Sequence, residues 1–181
     1  MVKFQLSLLA LLTCLFCCYC TGPEDDQPGE TREGRPDQES WGATIILTKA
    51  GSKQAVIQAG HLAKFDERQH ILLDDSVTVD FFNPDEEHTS LLTSQKAEID
   101  EKSDFMTAMG NVVIISDSGV TLYTDTIDWN SELELIYTDD PVMLTTAKKD
   151  TLYGIGFESD ASLEHWIVQQ PSGVTERGRD E

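Results

Sequence analysis

Three aspartates recur near the ends of similar segments, and their type and spacing could support acid–base chemistry. They are Asp100, Asp128 and Asp160. Paired carboxylates act as acid and base in glycoside hydrolysis, so one interpretation is a carbohydrate-active enzyme. Aspartate is also common in turns, because its carboxylate accepts hydrogen bonds from nearby backbone N–H groups. We favour the second interpretation and expect these residues to be turn residues.

The remaining polar residues do not form a recognisable catalytic or metal-binding pattern. The four histidines, His61, His70, His88 and His165, are widely spaced in the sequence. No G-x-S-x-G nucleophile motif or G-x-x-x-x-G-K-[ST] phosphate-binding loop occurs, and Gly154-Ile155-Gly156 is only a two-glycine fragment in a strand-like segment. The sequence therefore predicts no catalytic residue, no metal site, no cofactor and no enzymatic activity.

All cysteines lie in the first 20 residues, inside an apolar segment that follows Lys3. This apolar run is FQLSLLALLTCLFCCY, shorter than the roughly 20 residues of a membrane-spanning helix. We predict that residues 1–20 are a signal peptide or membrane anchor of the bacterial lipoprotein type, with Cys18 lipidated and Cys20 as the alternative. An uncleaved short anchor is the other interpretation. Both place the rest of the chain outside the cytoplasm and at a membrane.

The charge of the chain excludes one class of partner. With 33 Asp and Glu against 13 Lys and Arg, the 181-residue chain has a formal net charge of −20. Nucleic acid is excluded as a partner, because its phosphates require clustered Lys and Arg. Residues 21–40 combine three Pro, three Gly and nine charged residues, so we predict a flexible acidic linker there. We also predict a disordered tail at 173–181.

The body of the chain, residues 41–172, alternates apolar and polar residues with the period of β-strands. It also repeats itself. SLLTSQKAEID (90–100), VTLYTDTIDWN (120–130) and DTLYGIGFESD (150–160) align without gaps at an offset of 30 residues. A single unit cannot bury its apolar face alone, so neighbouring units must stack. We predict an all-β domain built from repeated strand units.

Alternation also predicts which side chains face the interior. In ELELIYT (132–138), for example, the glutamates would face water and the residues between them would face inward. The predicted interior residues, which are also our candidates for lining any apolar groove, are Val77, Val79, Phe81, Phe105, Val112, Ile114, Trp129, Leu133, Leu135, Tyr137, Val142, Leu144 and Phe157. Ordinary core packing is the simpler explanation for any one of them.

The order of these motifs resembles a known family. SLLTSQKAEID, MTAMGNVVIIS, LYTDTIDWNSELELIYTDDPVMLTT and DTLYGIGFESD are similar to the LptC family of lipopolysaccharide export, in the wider group that includes the bridge protein LptA. The resemblance covers about residues 50–170. It implies an open, twisted β-jellyroll that shields lipid acyl chains between its two sheets.

The same resemblance implies a place and partners for the protein. The chain would be periplasmic and anchored to the inner membrane. It would receive lipopolysaccharide from an inner-membrane ABC transporter and pass it to an LptA-like bridge protein through edge-strand addition. Because both the chain and lipopolysaccharide phosphates are negatively charged, we expect the lipid to be held by its acyl chains. The alternatives are an extracytoplasmic carbohydrate-active protein and a structural β-repeat protein, which would hold no lipid.

Overall fold

A computed structural model describes residues 34–103 and 105–175. Within these residues the chain forms ten antiparallel strands and no helix, which confirms the predicted all-β class. The strands are β1 (Gln38–Lys49), β2 (Ser52–Phe65), β3 (His70–Phe82), β4 (His88–Ser94), β5 (Lys96–Asp100), β6 (Phe105–Ser116), β7 (Thr121–Asn130), β8 (Leu135–Thr145), β9 (Thr151–Asp160) and β10 (Trp166–Thr175).

The strands follow one another through the sheet almost in chain order. The order is β1-β2-β3-β4-β6-β7-β8-β9-β10, and the short strand β5 continues the line of β4 between β3 and β6. Strand β1 begins at Gln38 and β10 ends at Thr175, so the sheet extends three residues beyond each limit of the predicted domain, 41–172. The predicted signal or anchor segment, 1–20, lies outside the described residues, as do Cys18 and Cys20.

Irregularities near the middle of most strand pairs bend this single sheet. Register shifts occur between Ala59 and His61, Met109 and Val112, Tyr123 and Asp128, Thr138 and Pro141, and Pro171 and Gly173. A β-bulge bends its strand and increases the local twist. Each long strand therefore runs through two layers, one on either side of the bend.

A contact between distant strands shows that the layers face each other. The rings of Phe81 on β3 and Trp129 on β7 pack edge to face, with centroids 5.1 Å apart. In a flat sheet these strands would be three positions apart, or about 14 Å at the usual strand spacing. The sheet has therefore closed over its own apolar face, which is the predicted jellyroll.

The 30-residue repeat has a simple structural meaning, because it spans two adjacent strands. Leu92, Leu122 and Leu152, at equal positions of the repeat, alternate with Ile114 and Leu144 in one register-matched line across the sheet. We call this line, with its continuation toward β1, the aliphatic row. It runs Ile45, Ile57, Val79, Leu92, Ile114, Leu122, Leu144 and Leu152. The row lines the interior across eight strands and is perpendicular to them.

The two glycines of Gly154-Ile155-Gly156 serve the packing of β10. A Cβ atom on Gly154 would lie 2.2 Å from Val168 Cγ1, so only glycine allows this close approach. Gly156 has a φ of +79°, which a side chain would strain. The two glycines therefore allow the backbone of β9 to pack closely against the edge strand β10.

Two neighbouring isoleucines on β6 test the aliphatic row. Ile114 is 0% exposed and Ile115 is 48% exposed. We expect Ile114→Ala to lower the free energy of unfolding by about 2–5 kcal/mol, because it removes buried methyl groups and leaves a cavity. Ile115→Ala should cost less than about 1 kcal/mol. Urea denaturation of both variants measures the difference, and equal losses would contradict the assigned facing of β6.

Candidate functional site

The interior of the jellyroll is lined by one cluster of buried apolar side chains. Nine of the thirteen predicted interior residues lie in it, each at most 3% exposed. They are Val77, Val79, Phe81, Val112, Ile114, Trp129, Val142, Leu144 and Phe157. An acyl chain offers no hydrogen bonds, so an interior of this composition could hold one through apolar contact alone. Whether these residues contact lipid stays a prediction.

The predicted inward facing was wrong for four residues, three of them in one short segment. Leu133 lies in the turn between β7 and β8 and is 68% exposed. Leu135 and Tyr137 are half-buried on the outer face, where they alternate with the buried residues Ile136 and Thr138. Strand β8 begins only at Leu135, and its pairing places Ile136 opposite the buried Trp129. A one-residue difference in register reverses the facing of a whole strand.

Phe105 is the fourth residue whose predicted facing was wrong. It alternates with the buried Met106 at the start of β6 and is half-buried on the outer face. Its ring centroid lies 6.2 Å from that of Tyr137. Burial and the nearby carboxylates of Asp128 and Asp139 raise the pKa of Tyr137 above its ordinary value.

Sequence reasoning also omitted several interior residues. Two belonged to the repeat and could have been found from it, because Leu92 and Leu122 align with each other and both are buried. Met106 and Ile136 were missed through the register errors already described. Leu163 carries no strand signal at all, yet its side chain is 1% exposed in the loop after β9.

Two of the recurring carboxylates serve turns, as the favoured interpretation predicted, but Asp128 lies within strand β7 and its predicted place in a turn was wrong. Asp100 and Asp160 each end a strand, and Asp100 accepts a hydrogen bond from the backbone N–H of Lys102, which lowers its pKa. Asp128 accepts a hydrogen bond from Thr107 Oγ1 on the neighbouring strand, at 2.7 Å. Across 34–103 and 105–175, no three His, Cys, Asp or Glu residues are grouped so as to hold a metal ion.

Asp160 organises the loop that carries Leu163. Its carboxylate accepts hydrogen bonds from Ser162 Oγ and from the backbone N–H groups of Glu164 and His165, and it lies 2.9 Å from His165 Nδ1. Partial burial by itself raises the pKa of Asp160, but these hydrogen bonds outweigh it and the net pKa is lowered. The hydrogen bonds of the loop therefore favour the ionised form of Asp160.

A cavity of about 490 Å³ opens between the two layers beside this loop. We call it the rim cavity. Its apolar floor includes Phe81 and Trp129, and its walls come from the β1–β2 hairpin, the loop after β3 and the loop after β9. The ammonium group of Lys49 forms an ion pair with the carboxylate of Glu134 at 2.9 Å, and both residues line the cavity. Nearby, Ser90 Oγ donates a hydrogen bond to the carbonyl of Ala161. The rim is therefore closed by a few polar contacts between the layers.

Comparison with known proteins identifies the family. The family described as "Lipopolysaccharide-assembly, LptC-related" matches residues 7–166. The chain belongs to the LptC family. Proteins of this family are non-enzymatic components of lipopolysaccharide transport in the periplasm, which confirms the resemblance drawn from the repeat motifs. The carbohydrate-active alternative is set aside for this LptC-family chain.

The fold of this LptC-family chain is similar to that of a solved relative of LptA. That structure is LptH, described as the LptA homologous periplasmic component of the lipopolysaccharide transport device from Pseudomonas aeruginosa. The TM-score is 0.51 at 13% sequence identity, and the match covers 68% of this chain and 95% of LptH. The likeness confirms the LptA-like jellyroll fold. No curated protein sequence matches the chain.

The described residues contain no helix that is long and apolar enough to cross a membrane.

The loop after β9 gives a prediction that depends on pH. Because the folded-state pKa of Asp160 is lowered, its contribution to stability is present above the unfolded-state value of about 3.9 and is lost as the pH falls through the folded-state pKa. We expect Asp160→Ala to lower the free energy of unfolding by about 1 kcal/mol near neutral pH, a modest value because the carboxylate is partly solvated.

The difference between Asp160→Ala and the unsubstituted protein should then shrink as the pH falls below about 4. Urea denaturation at several pH values measures it. Asp125→Ala, which removes an exposed carboxylate on β7, is the matched control and should show little difference at any pH. A difference for Asp160→Ala that does not change with pH would show that ionisation of Asp160 does not hold the loop.

Proposed function

We propose that this LptC-family protein receives lipopolysaccharide from an inner-membrane ABC transporter and shields the acyl chains between its two layers. It then passes the lipid to an LptA-like bridge protein. The observation that carries the proposal is the aliphatic row, an uninterrupted line of apolar residues through the interior. The row crosses the strands, so a chain lying along it could move from one edge of the sheet to the other.

The energetics of such a carrier require an external source of work. Moving an acyl chain from a bilayer into an apolar interior exchanges one hydrocarbon-like environment for another, so the transfer is close to neutral. The chain has no P-loop sequence for nucleotide binding. Directional movement would therefore depend on the transporter, while the jellyroll lowers the cost of crossing an aqueous compartment.

The two ends of the sheet are the proposed docking sites for neighbouring jellyrolls. Among the described residues, strands β1 and β10 each pair on one side only. An unpaired strand edge can add another strand through backbone hydrogen bonds. Large apolar side chains remain exposed on both strands, with Trp41 on β1 and Ile167 on β10. These side chains would be covered when a partner strand is added.

We also propose that the N-terminal segment holds the protein at the inner membrane, through a lipidated Cys18, a lipidated Cys20 or an uncleaved anchor. The acidic linker would then give the jellyroll reach from the membrane. Mass spectrometry of the mature N-terminus distinguishes the three possibilities by mass. An unmodified N-terminus with an intact signal segment would exclude the lipoprotein forms.

Photo-crosslinking on adjacent strands tests the lipid groove. Phe157 on β9 is buried in the interior, and its partner across the strand pair is Thr138 on β8. The neighbouring residue on β8, Tyr137, lies on the outer face. We expect p-benzoylphenylalanine at position 157 to capture lipopolysaccharide in cells, while the same photo-crosslinker at position 137 does not. The photo-crosslinker replaces an aromatic residue at both positions, so the change in side-chain size is similar. Equal labelling at the two positions would count against an interior groove.

A charge on the C-terminal edge strand tests the docking of the bridge protein. Ile167 is 62% exposed on β10, so Ile167→Asp changes the edge without disturbing the interior. We expect it to abolish capture of the LptA-like partner, because the carboxylate would have to lose its water on docking. Ile115→Asp, on the outer face of the central strand β6, is the matched control. Unchanged capture with Ile167→Asp would remove β10 as the docking edge.

A further inference from the structure

Leu163 differs from every other buried core residue of the described chain. The other members of the apolar core lie on strands, and their backbones are held by the ladder hydrogen bonds of the sheet. Leu163 lies in the loop 161–165 between β9 and β10, and its backbone φ is +57°. A leucine rarely adopts a positive φ, so this residue is held in place by its surroundings.

Apart from the buried side chain of Leu163, the loop is held by a few hydrogen bonds. The Leu163 N–H donates to the carbonyl of Asp160 at 3.2 Å, and the Asp160 carboxylate accepts from the following residues of the loop. Ser90 Oγ ties the carbonyl of Ala161 to the opposite layer. Local opening requires less free energy where few hydrogen bonds must break, and the loop lies outside the strand ladders.

The same loop borders the rim cavity. Ala161, Ser162, Glu164 and His165 line this cavity, and the buried pair Phe81 and Trp129 forms its floor. Leu163 belongs to the same core cluster as that pair. Withdrawal of the Leu163 side chain would therefore extend the rim cavity toward the interior without breaking a strand pair.

A buried polar group without a partner lies on β9 next to the same loop. The side chain of Ser159, on β9 immediately before Asp160, is buried at 2% exposure. Its hydroxyl has no hydrogen-bond partner among the described residues. A buried hydroxyl without a partner is uncommon and destabilising, so β9 is less well satisfied here than elsewhere in the sheet.

We propose that the rim cavity is the entrance through which an acyl chain reaches the interior, and that Leu163 is a removable plug that keeps the entrance closed until the lipid displaces it. The inference rests on the proposed function in one respect, because it takes the interior as the acyl-chain site. The ligand class is a long-chain amphiphile whose apolar tail replaces the leucine side chain among the core residues.

The test uses the full chain, purified and stripped of lipid, with two probes. One probe is fluorescent lipopolysaccharide and the other is cis-parinaric acid, a fluorescent fatty acid that needs no saccharide. The variant is Leu163→Ala. The matched control is Leu133→Ala, which makes the same substitution at an exposed leucine of the turn before β8. We expect Leu163→Ala to bind both probes several-fold more tightly than the unsubstituted protein and Leu133→Ala to leave binding unchanged.

The outcomes separate the plug from the transport function. If the unsubstituted protein binds lipopolysaccharide and Leu163→Ala binds it equally or more weakly, the plug is wrong and the proposed transport function stands. If only cis-parinaric acid binds, and binds more tightly to Leu163→Ala, the entrance stands and lipopolysaccharide is the wrong cargo. If neither probe binds to any protein, both proposals fail.

A second measurement avoids the risk that Leu163→Ala unfolds the domain. Hydrogen–deuterium exchange on the unsubstituted protein follows the backbone amides of residues 161–165 before and after addition of cis-parinaric acid. We expect these amides to exchange faster with the fatty acid present, since the loop must leave the interior. Slower or unchanged exchange, with the fatty acid bound, would overturn the plug.

Discussion

The structure depends on one constraint, which is that a single sheet must cover its own apolar face. No helix in the described residues packs on that face, and no cysteine lies beyond the first 20 residues to join the layers by a disulfide. Closure by bending is the remaining way to remove the aliphatic row from water. The register shifts near the strand midpoints make the bend possible, and the contact between Phe81 and Trp129 shows that it brings distant strands together.

Closure of this kind leaves β1 and β10, the end strands of the described part of the chain, each paired on one side only. Such edges favour aggregation in most soluble proteins, and charged residues are a common protection against it. The net charge of −20 offers that protection through mutual repulsion between copies. The same charge disfavours nucleic acid as a partner. In an LptC-family protein it also fits a carrier that holds an anionic lipid by its tails, with the carboxylates placed at turns and on the outer face.

The interior and its rim have different physical characters. The interior is held by strand ladders and by apolar side chains that are almost entirely buried. The rim is closed by Lys49 with Glu134, by Ser90 with Ala161, and by the loop that Asp160 organises. Asp160 holds the turn that follows β9 and is a turn residue rather than a catalytic carboxylate, as its place at the end of a repeat unit indicated. Its position matters because the turn that it stabilises carries Leu163 into the core.

The sequence by itself determined the class of the fold, the repeat and most of the interior. Alternation and a 30-residue offset are enough to place Leu92, Leu122 and Leu152 on one face, because the period of a strand is two residues and the offset spans two strands. The tertiary structure alone decided the facing of Leu135 and Tyr137, since ELELIYT offers apolar residues in both registers and only the pairing of Ile136 with Trp129 selects one. It alone placed Leu163 in the core, because a loop residue has no periodic signal and its burial depends on contacts far away in the chain.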